Sequence, residues 1–214
     1  MSALPLPDRG RRARRPSGDD RERDILATAE RLLSERTLGE ISIDDLARGA
    51  GISRPTFYFY FPSKEAVILA LLDRVAEEAR QIRGRALEAA GSDVPEIWRR
   101  GVGSILATFT EHRALMLAVA QLVPDSEEVR DLWGRIIEGF VEDTQLGIDS
   151  ERERGVALPG LDSRALAISL IWLTERTFHA AVSGQQPSLP EEEALEVVIR
   201  IWSRAIYGND DLGA

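Results

Sequence analysis

The feature that most constrains the fold is a pair of short helical segments joined by a glycine turn. Ser42 is followed three positions later by Asp45, which is the spacing of a capping box, and Gly51 permits the chain to turn after a short apolar face. A second segment begins at once, with Ser53 as its expected N-cap and Pro55 in its first turn, where a missing N–H is tolerated. Two short helices around such a turn indicate a helix-turn-helix unit.

The second of these segments is unusually rich in aromatic residues. Phe57 and Phe61 are four positions apart and can both face inward. Thr56, Tyr58 and Tyr60 then point outward, and exposed aromatic hydroxyls indicate a binding partner. In a helix-turn-helix unit the N-terminal part of the second helix enters the major groove, so this partner is predicted to be double-stranded DNA.

The side chains here suit both kinds of contact that DNA offers. Arg54 can reach a guanine, while Pro55 and the Thr56 methyl group can meet thymine methyl groups. Two tyrosine hydroxyls and a lysine can hold phosphates, helped by the N-terminus of the next helix, which Ser63 is expected to cap. The predicted DNA-binding residues are Ser53, Arg54, Pro55, Thr56, Tyr58, Tyr60 and Lys64.

The run Ala50–Glu65 resembles the DNA-binding signature of the TetR family of bacterial repressors. The resemblance extends from Arg15–Arg21 through Gly184–Ser188 to Ile206–Gly208 and so covers nearly the whole chain. It implies an all-α homodimer that binds a palindromic operator. It also implies that the operator is released when a small apolar molecule enters the larger domain.

Length and composition agree with a globular protein of one or two domains. The 214 residues, 43% of them hydrophobic, are enough for an ordinary core. No run of about 18 apolar residues is present, and no hydrophobic stretch follows the N-terminal arginines, so neither a membrane span nor a secretory signal is expected and a cytoplasmic location is predicted. The absence of cysteine excludes disulfides and thiolate metal sites.

The net charge of −9 is distributed unevenly, which reconciles it with a nucleic-acid partner. Residues 1–80 contain 14 Lys and Arg against 14 Asp and Glu, and the rest of the chain contains 13 against 22. Residues 1–18 are predicted to be a flexible basic arm, either a solvated tail or an arm that adds phosphate and minor-groove contacts. The predicted division is this arm, a helix-turn-helix domain over 19–66, and a ligand-binding and dimerisation domain over 67–214.

Helical periodicity continues along the chain and predicts about nine helices in all. The first begins at a capping box of Ser17 and Asp20 and runs to about Arg36. The fourth continues to about residue 90, where residues 91–93 break it, and is the expected mechanical link between the halves. Later boundaries are expected at Pro95, around residues 114–122, at Pro124 and Gly155, and at Asp162, Gly184 and Ser188.

The last two helices carry more apolar surface than one core contact requires. The eighth is apolar almost all round between Ala165 and Leu173. The ninth has one apolar face around Trp202 and another that includes Ile201 and Ala205. One face can enter the protomer core, and the other can pack on the same helix of a second copy. The resemblance to the family implies that this second contact is a homodimer interface formed by the last two helices.

The sequence offers little support for an enzyme. His112 and His179 are the only histidines, and no cysteine, glycine-rich phosphate loop or nucleophile elbow is present. No catalytic residue, metal site or cofactor is predicted. Two alternatives stay open: a helical enzyme that retains a helix-turn-helix, which predicts turnover without DNA, and an architectural DNA-binding protein, which predicts binding insensitive to sequence.

A stripe of apolar residues in the larger domain admits two interpretations. Its spacing alone predicts ordinary core, because aromatic residues at helical spacing usually pack. The family resemblance, which includes a relative with an elongated aromatic pocket at the matching positions, implies a ligand cavity instead. The predicted lining is Trp98, Val102, Ile105, Phe109, Trp133, Ile137, Phe140, Thr144, Ile171, Thr174, Glu175, Phe178 and Trp202.

The eighth helix departs from that relative. Two asparagines that offer hydrogen bonds to its ligand correspond here to Ile171 and Thr174, and Trp172 stands beside them, so the same ligands are not expected to bind. Glu175 is a candidate polar handle for a ligand, because an unpaired carboxylate in an apolar bundle is unfavourable. An internal ion pair with an arginine and an exposed position remain as alternatives.

Overall fold

A computed structural model of the protein describes residues 18–90 and 94–208, which form nine α-helices, one short 3-10 turn and no strand. This confirms the predicted all-α fold. The helices are α1 (Gly18–Glu35), α2 (Ile43–Gly49), α3 (Arg54–Phe57), α4 (Lys64–Ala90), α5 (Val94–Glu111), α6 (Arg113–Leu122), α7 (Glu127–Glu153), α8 (Ser163–Ser183) and α9 (Glu191–Tyr207), with the 3-10 turn Leu38–Glu40 between α1 and α2.

The first three helices pack around apolar side chains that the spacing identifies. Ile25 and Ala29 of α1 are buried, and so are Phe57 and Phe61, whose ring centroids are 6.2 Å apart. These side chains belong to a hydrophobic core that continues into α4 and the larger bundle. The helix-turn-helix unit is therefore supported by the same core as the rest of the protein.

Helix α4 joins the two parts of the molecule without interruption. The Ala66 N–H donates to Ser63 Oγ at 3.1 Å and caps the start of the helix, as the sequence predicts. Val67, Leu71 and Val75 are buried along one side, and α4 packs against α1, α5, α6 and α7. The predicted domain boundary after residue 66 falls within the first turn of α4, so the two parts share this helix.

The larger part is a bundle in which α8 packs between α7 and α9 and contacts α5 and α6. Asp162 Oδ1 accepts the Ala165 N–H at 2.9 Å at the start of α8. Gly184 and Gly208 have φ values of +71° and +77° and end α8 and α9. Across the residues that the structure covers, none of the helices is long and apolar enough to cross a membrane.

Three predictions fall on residues that the structure does not describe. The basic arm over 1–18 lies outside the described residues apart from Gly18, and the capping box of Ser17 lies there with it. The helix break at residues 91–93 also lies outside the described ranges. These three stay predictions.

Candidate functional site

The helix-turn-helix geometry is fixed by caps that involve few residues. The Asp45 N–H donates to Ser42 Oγ at 3.1 Å, and the Ser42 N–H donates to Asp45 Oδ2 at 3.0 Å. Hydrogen bonds from the Ser42 hydroxyl and N–H lower the pKa of the Asp45 carboxyl. Gly51 has φ +65° in the turn that follows α2, a conformation that side chains other than glycine rarely adopt.

Helix α3 is a single turn, and its N-cap uses one of the predicted DNA-binding residues. Ser53 Oγ accepts the Thr56 N–H at 3.3 Å and lies 2.8 Å from Thr56 Oγ1. The Ser53 hydroxyl therefore caps α3 and orients Thr56. Both residues remain exposed, so neither contact prevents them from meeting DNA.

Arg54 is exposed but held in place by side chains from two helices. Its Nη1 donates to Asp44 Oδ2 of α2 at 3.0 Å, and its Nη2 lies 3.5 Å from the Tyr58 hydroxyl. An exposed ion pair of this kind is weak, so a guanine can replace Asp44 as the partner. Pro55 and Tyr58 are exposed on the same surface, as predicted.

Tyr60, one of the predicted phosphate contacts, is less exposed than helical spacing predicts. Its side chain is half-buried and packs against the core, and its contact to a phosphate stays a prediction. The physical reason is that α3 ends at Phe57 and the chain continues as a turn, in which the Tyr60 N–H donates to the Phe57 carbonyl at 2.9 Å. Helical spacing therefore no longer sets the direction of the Tyr60 side chain.

Lys64 has a structural contact that the sequence does not reveal. Its ammonium group donates to the carbonyl oxygens of Leu38 at 2.9 Å and Ile41 at 3.2 Å. These bonds tie the start of α4 to the segment before α2. A lysine ammonium has three donors, so one remains to reach a phosphate.

The most exposed aromatic side chain of this surface, Phe59, is absent from the predicted set. It is 92% exposed, whereas Phe57 is fully buried. The Phe59 N–H donates to the Thr56 carbonyl at 3.1 Å, which belongs to the same turn after α3. An exposed phenylalanine can contact thymine methyl groups in the major groove. The sequence did contain a sign of this exposure, because Phe59 stands between two tyrosines that were predicted to face outward.

The larger of two apolar cavities in the bundle has a volume of about 370 Å³ and lies among α4, α5, α6 and α7. The sequence did not indicate its α4 wall, which includes Leu72, Val75 and Ala79. No atom lies within 4 Å of the Cβ that an alanine would place at Gly139, which also lines this cavity. Four of the thirteen predicted residues line it: Ile105, Phe109, Trp133 and Phe140.

Charged side chains surround one side of this cavity. Arg83 of α4 forms an ion pair with Asp143 of α7, and its guanidinium lies 4.8 Å from the centroid of the Phe140 ring. All three residues line the cavity. Cation–π contact and the ion pair together hold Arg83 across the gap between α4 and α7.

A smaller cavity, of about 190 Å³, lies among α5, α6, α7 and α8. Phe109, Met116 and Trp133 line both cavities, so these three side chains stand between them. The smaller cavity also contains Glu175, as predicted for a polar handle, and the unpredicted His179. Burial raises the pKa of Glu175 and lowers the pKa of His179 from their ordinary values.

The other predicted lining residues are packed rather than exposed to a cavity. Eight are nine-tenths or more buried and line neither cavity, so the prediction of one cavity lined by all thirteen residues is corrected here. The eight residues are Trp98, Val102, Ile137, Thr144, Ile171, Thr174, Phe178 and Trp202.

Two tryptophans explain why this end of the stripe is closed. The Trp202 indole N–H donates to Thr174 Oγ1 at 3.0 Å, and the Trp98 indole N–H donates to the Tyr207 hydroxyl at 2.8 Å. The two indole rings are 5.5 Å apart between centroids. Burial raises the pKa of Tyr207 to about 12, so its hydroxyl stays protonated. Each indole N–H is satisfied by another side chain, so neither of these two donors is free for a ligand.

No group of three or more His, Asp or Glu side chains that could hold a metal ion occurs in the part of the chain that the structure describes. The surface of α3 is the candidate site for DNA, and the two cavities are the candidate sites for a small molecule.

The chain is similar to known proteins in both parts. Residues 25–71 match the family described as bacterial regulatory proteins, tetR family, and residues 98–208 match the C-terminal domain of the transcriptional regulator EthR. The chain is 48% identical over 203 residues to the HTH-type transcriptional regulator EthR of Mycobacterium tuberculosis, covering 94% of each chain. It is 43% identical over 205 residues to EthR of Mycolicibacterium smegmatis, covering 96% of this chain and 94% of the relative.

Among solved structures, the fold is similar to that of a putative transcriptional regulator from Saccharomonospora viridis in complex with choline, with a TM-score of 0.73. The two are 23% identical, and the match covers 88% of this chain and 98% of that chain. The relatives are transcriptional regulators and not enzymes, which confirms the prediction that this chain is not an enzyme. Its sequence, its helix-turn-helix surface and its relatives together show that the chain belongs to the TetR family of DNA-binding transcriptional regulators.

Proposed function

We propose that the protein is a cytoplasmic repressor that binds a palindromic operator as a homodimer and is released by a small, largely apolar molecule. The observation that carries this proposal is the position of α4. Its side chains Leu72 and Val75 form a wall of the larger cavity, while Lys64 at its first position donates to the Leu38 and Ile41 carbonyls before α2. One helix therefore contacts both the larger cavity and the helix-turn-helix unit.

The DNA contacts in this proposal follow from exposure. Arg54, Thr56 and Phe59 are exposed at the start and end of α3, so they are proposed to read bases. Tyr58 and the remaining donor of Lys64 are proposed to hold phosphates, which position the reading head.

Release is proposed to follow from contacts that couple α4 to the helix-turn-helix unit. Lys64 binds the carbonyl groups before α2, and Arg74 Nη2 lies 2.8 Å from Glu30 Oε2 of α1. The second oxygen of Glu30 lies 2.8 Å from His112 Nδ1, at the start of α6. A ligand that separates α4 from α7 would therefore move the reading head with α4 and change the spacing of the two heads in a dimer.

Homodimerisation through α8 and α9 is proposed because both helices retain apolar side chains at the surface of one chain. Ile201 of α9 and Ile168 of α8 are exposed, and the second face of α9 continues through the half-buried Val197 and Ala205. A twin copy can cover these side chains in an isologous four-helix interface.

The ligand response is supported by the two apolar cavities and by the fold. The structurally similar regulator from Saccharomonospora viridis is known in complex with choline, so a small molecule is bound by a protein of this fold.

The experiment that tests this function measures affinity for fragments from upstream of the protein's own gene, against scrambled DNA of equal length at fixed salt. A true operator is expected to bind about 10³-fold or more tightly than scrambled DNA. An effector that lowers operator affinity must itself bind less tightly, by the same factor, in the presence of operator. Equal effector affinity with and without operator would contradict release by this mechanism.

A further inference from the structure

The smaller cavity contains a carboxyl group that has neither a hydrogen-bond partner nor an ion-pair partner among the described residues around it. Glu175 is half-buried on α8, and neither a hydrogen bond nor an ion pair within 4 Å is formed between its side chain and the described residues. The other residues of the cavity are apolar or aromatic except for His179. A buried carboxylate without a partner is unfavourable, so its presence indicates a use.

Burial raises the pKa of Glu175 and the charge of Arg176 offsets part of that rise, but neither neighbouring basic residue forms an ion pair with Glu175. Arg176 follows Glu175 directly but is exposed, and its guanidinium donates to the Gln185 side chain instead. His179 is one helical turn further along, and burial together with the charge of Arg176 lowers its pKa, so the imidazole is neutral at pH 7. Glu175 is therefore the acidic group that this cavity offers to a ligand.

The aromatic walls of this cavity suit a positive charge. Trp133 and Trp172 both line it beside Glu175, and tryptophan has the strongest cation–π attraction of the aromatic side chains. A neutral imidazole at His179 can also accept a hydrogen bond from an ammonium N–H. Carboxylate, indole rings and imidazole together form a site for an organic cation.

The volumes indicate how much of a ligand each cavity can hold. An apolar protein cavity of about 150 Å³ accommodates benzene, so the smaller cavity can hold a head group of similar size. The larger cavity of about 370 Å³ can hold an apolar body. Phe109, Met116 and Trp133 stand between the two cavities, and one molecule could extend through both only if the adaptable Met116 side chain moves aside.

We propose that the effector is an amphiphilic organic cation, whose head group binds Glu175 between Trp133 and Trp172 and whose apolar body occupies the larger cavity. This inference rests on the proposed ligand response and adds the chemical class of the ligand. Charge and shape are then recognised in separate places, the charge at α8 and the apolar body against α4.

The test compares two probes that differ only in charge. Trimethyl(4-phenylbutyl)ammonium is a cation, and (5,5-dimethylhexyl)benzene has the same shape with carbon in place of nitrogen. Binding of each to the full-length protein is measured by tryptophan fluorescence and calorimetry. The cation is expected to bind about 10-fold or more tightly than its neutral counterpart, because a trimethylammonium group has no N–H but is attracted by the Glu175 carboxylate and by the indole rings.

The variant E175Q is expected to weaken cation binding by about 10- to 100-fold, because the attraction between opposite charges is lost, while leaving the neutral probe unchanged. E142Q is the matched control, because it removes the same charge from the larger cavity, and it should leave both affinities unchanged. W172L provides a second variant that keeps Glu175 and should weaken the cation by several fold. Loss of cation binding in E142Q but not in E175Q would overturn the assignment, and so would equal affinity of the wild type for both probes.

The failure of this inference is distinguishable from the failure of the proposed function. Release of operator DNA is measured with both probes in the same assay. Release by the cation alone supports the inference, and release by the neutral probe alone overturns it while the proposed ligand response stands. If neither probe changes operator affinity, the cation assignment is overturned, and the proposed function is then tested separately by its operator preference.

Discussion

The DNA-binding surface and the ligand cavities differ in how they arise from the chain. On the surface, the functional side chains lie within a short stretch around α3, and local caps set their directions. The cavities are lined by residues from α4, α5, α6, α7 and α8, which are far apart in sequence. A local site is readable from spacing, whereas a cavity depends on which long helices fail to pack completely.

The largest expected effect contrasts two phenylalanines two positions apart. Phe57→Ala should lower the free energy of unfolding by about 3–5 kcal/mol, because a fully buried ring is lost from the core. Phe59→Ala should change it by less than about 0.5 kcal/mol, because the ring is exposed, but should weaken operator binding. Urea unfolding and operator titration measure the two quantities. Unchanged operator affinity in Phe59→Ala would remove this residue from the DNA contacts.

A second prediction concerns base recognition by α3. Arg54→Ala should weaken operator binding by about 1–3 kcal/mol and relax sequence preference at one base pair, because a bidentate contact to guanine is lost. Asp44→Ala is the control, since it removes the partner of Arg54 in the free protein without removing the contact to DNA. Binding to operators substituted one base pair at a time measures both. If Arg54→Ala lowers affinity equally for every sequence, Arg54 holds a phosphate instead.

Two glycines of α7 should respond with opposite signs to the same change. At Gly147 a Cβ would lie 2.7 Å from Trp98, whose ring is fixed against Trp202, so Gly147→Ala should destabilise the protein by about 1 kcal/mol or more. At Gly139 no atom lies within 4 Å, so alanine should add up to about 1 kcal/mol of helix stability. Thermal unfolding measures both. If both substitutions stabilise the protein, or both destabilise it, the packing around Gly139 and Gly147 does not differ as the structure indicates.

Two carboxylates of the bundle provide a pH-dependent contrast. Burial raises the pKa of Glu175, so folding favours its protonated form. The stability that this group contributes is therefore highest below the ordinary pKa of the carboxyl group, and it falls as the pH rises through the pKa of Glu175 in the folded protein. Glu175→Gln should therefore raise the melting temperature at pH 7, and the gain should vanish near about pH 4. Glu151→Gln should lower it instead, because Glu151 accepts a hydrogen bond from Tyr207 and pairs with Arg154. A melting temperature of Glu175→Gln below that of the wild type would indicate a stabilising role for this carboxylate.

The smallest expected effect concerns the ion pair beside the larger cavity. Arg83→Met should lower stability by no more than about 1 kcal/mol, because Asp143 is largely exposed, yet it should speed ligand association by freeing the gap between α4 and α7. Arg80→Met is the matched control, because Arg80 also lines the cavity but pairs only within α4, with Glu77. Stopped-flow fluorescence with the cationic probe compares the two rates. Equal rates in both variants would show that Arg83 does not limit entry.

Sequence reasoning succeeded where one element determines the outcome. The capping box of Ser42 and Asp45, the glycine in the turn between α2 and α3 and the buried pair Phe57 and Phe61 are all present, because each depends on residues within one or two turns. It failed directly after α3, where a turn replaces the helix. Tyr60 consequently packs inward and Phe59 faces solvent, which helical spacing cannot anticipate.

For the candidate ligand site, the sequence identified apolar stripes but not which parts of them enclose space. Trp98 and Trp202 close one end because their indole N–H groups find partners in Tyr207 and Thr174, on other helices. Glu175 entered the prediction because its carboxylate is out of place in an apolar helix, a chemical signal that survives without coordinates.

The all-α fold, the helix-turn-helix unit and the family thus follow from local patterns, because caps, turns and hydrophobic spacing act over short distances. Three outcomes became visible in the folded protein alone: α4 forms a cavity wall, eight residues of the stripe are packed, and Glu175 lines a cavity together with two tryptophans. Those outcomes depend on how long helices meet side by side, and the packing of side chains from distant parts of the chain is not encoded in any local pattern.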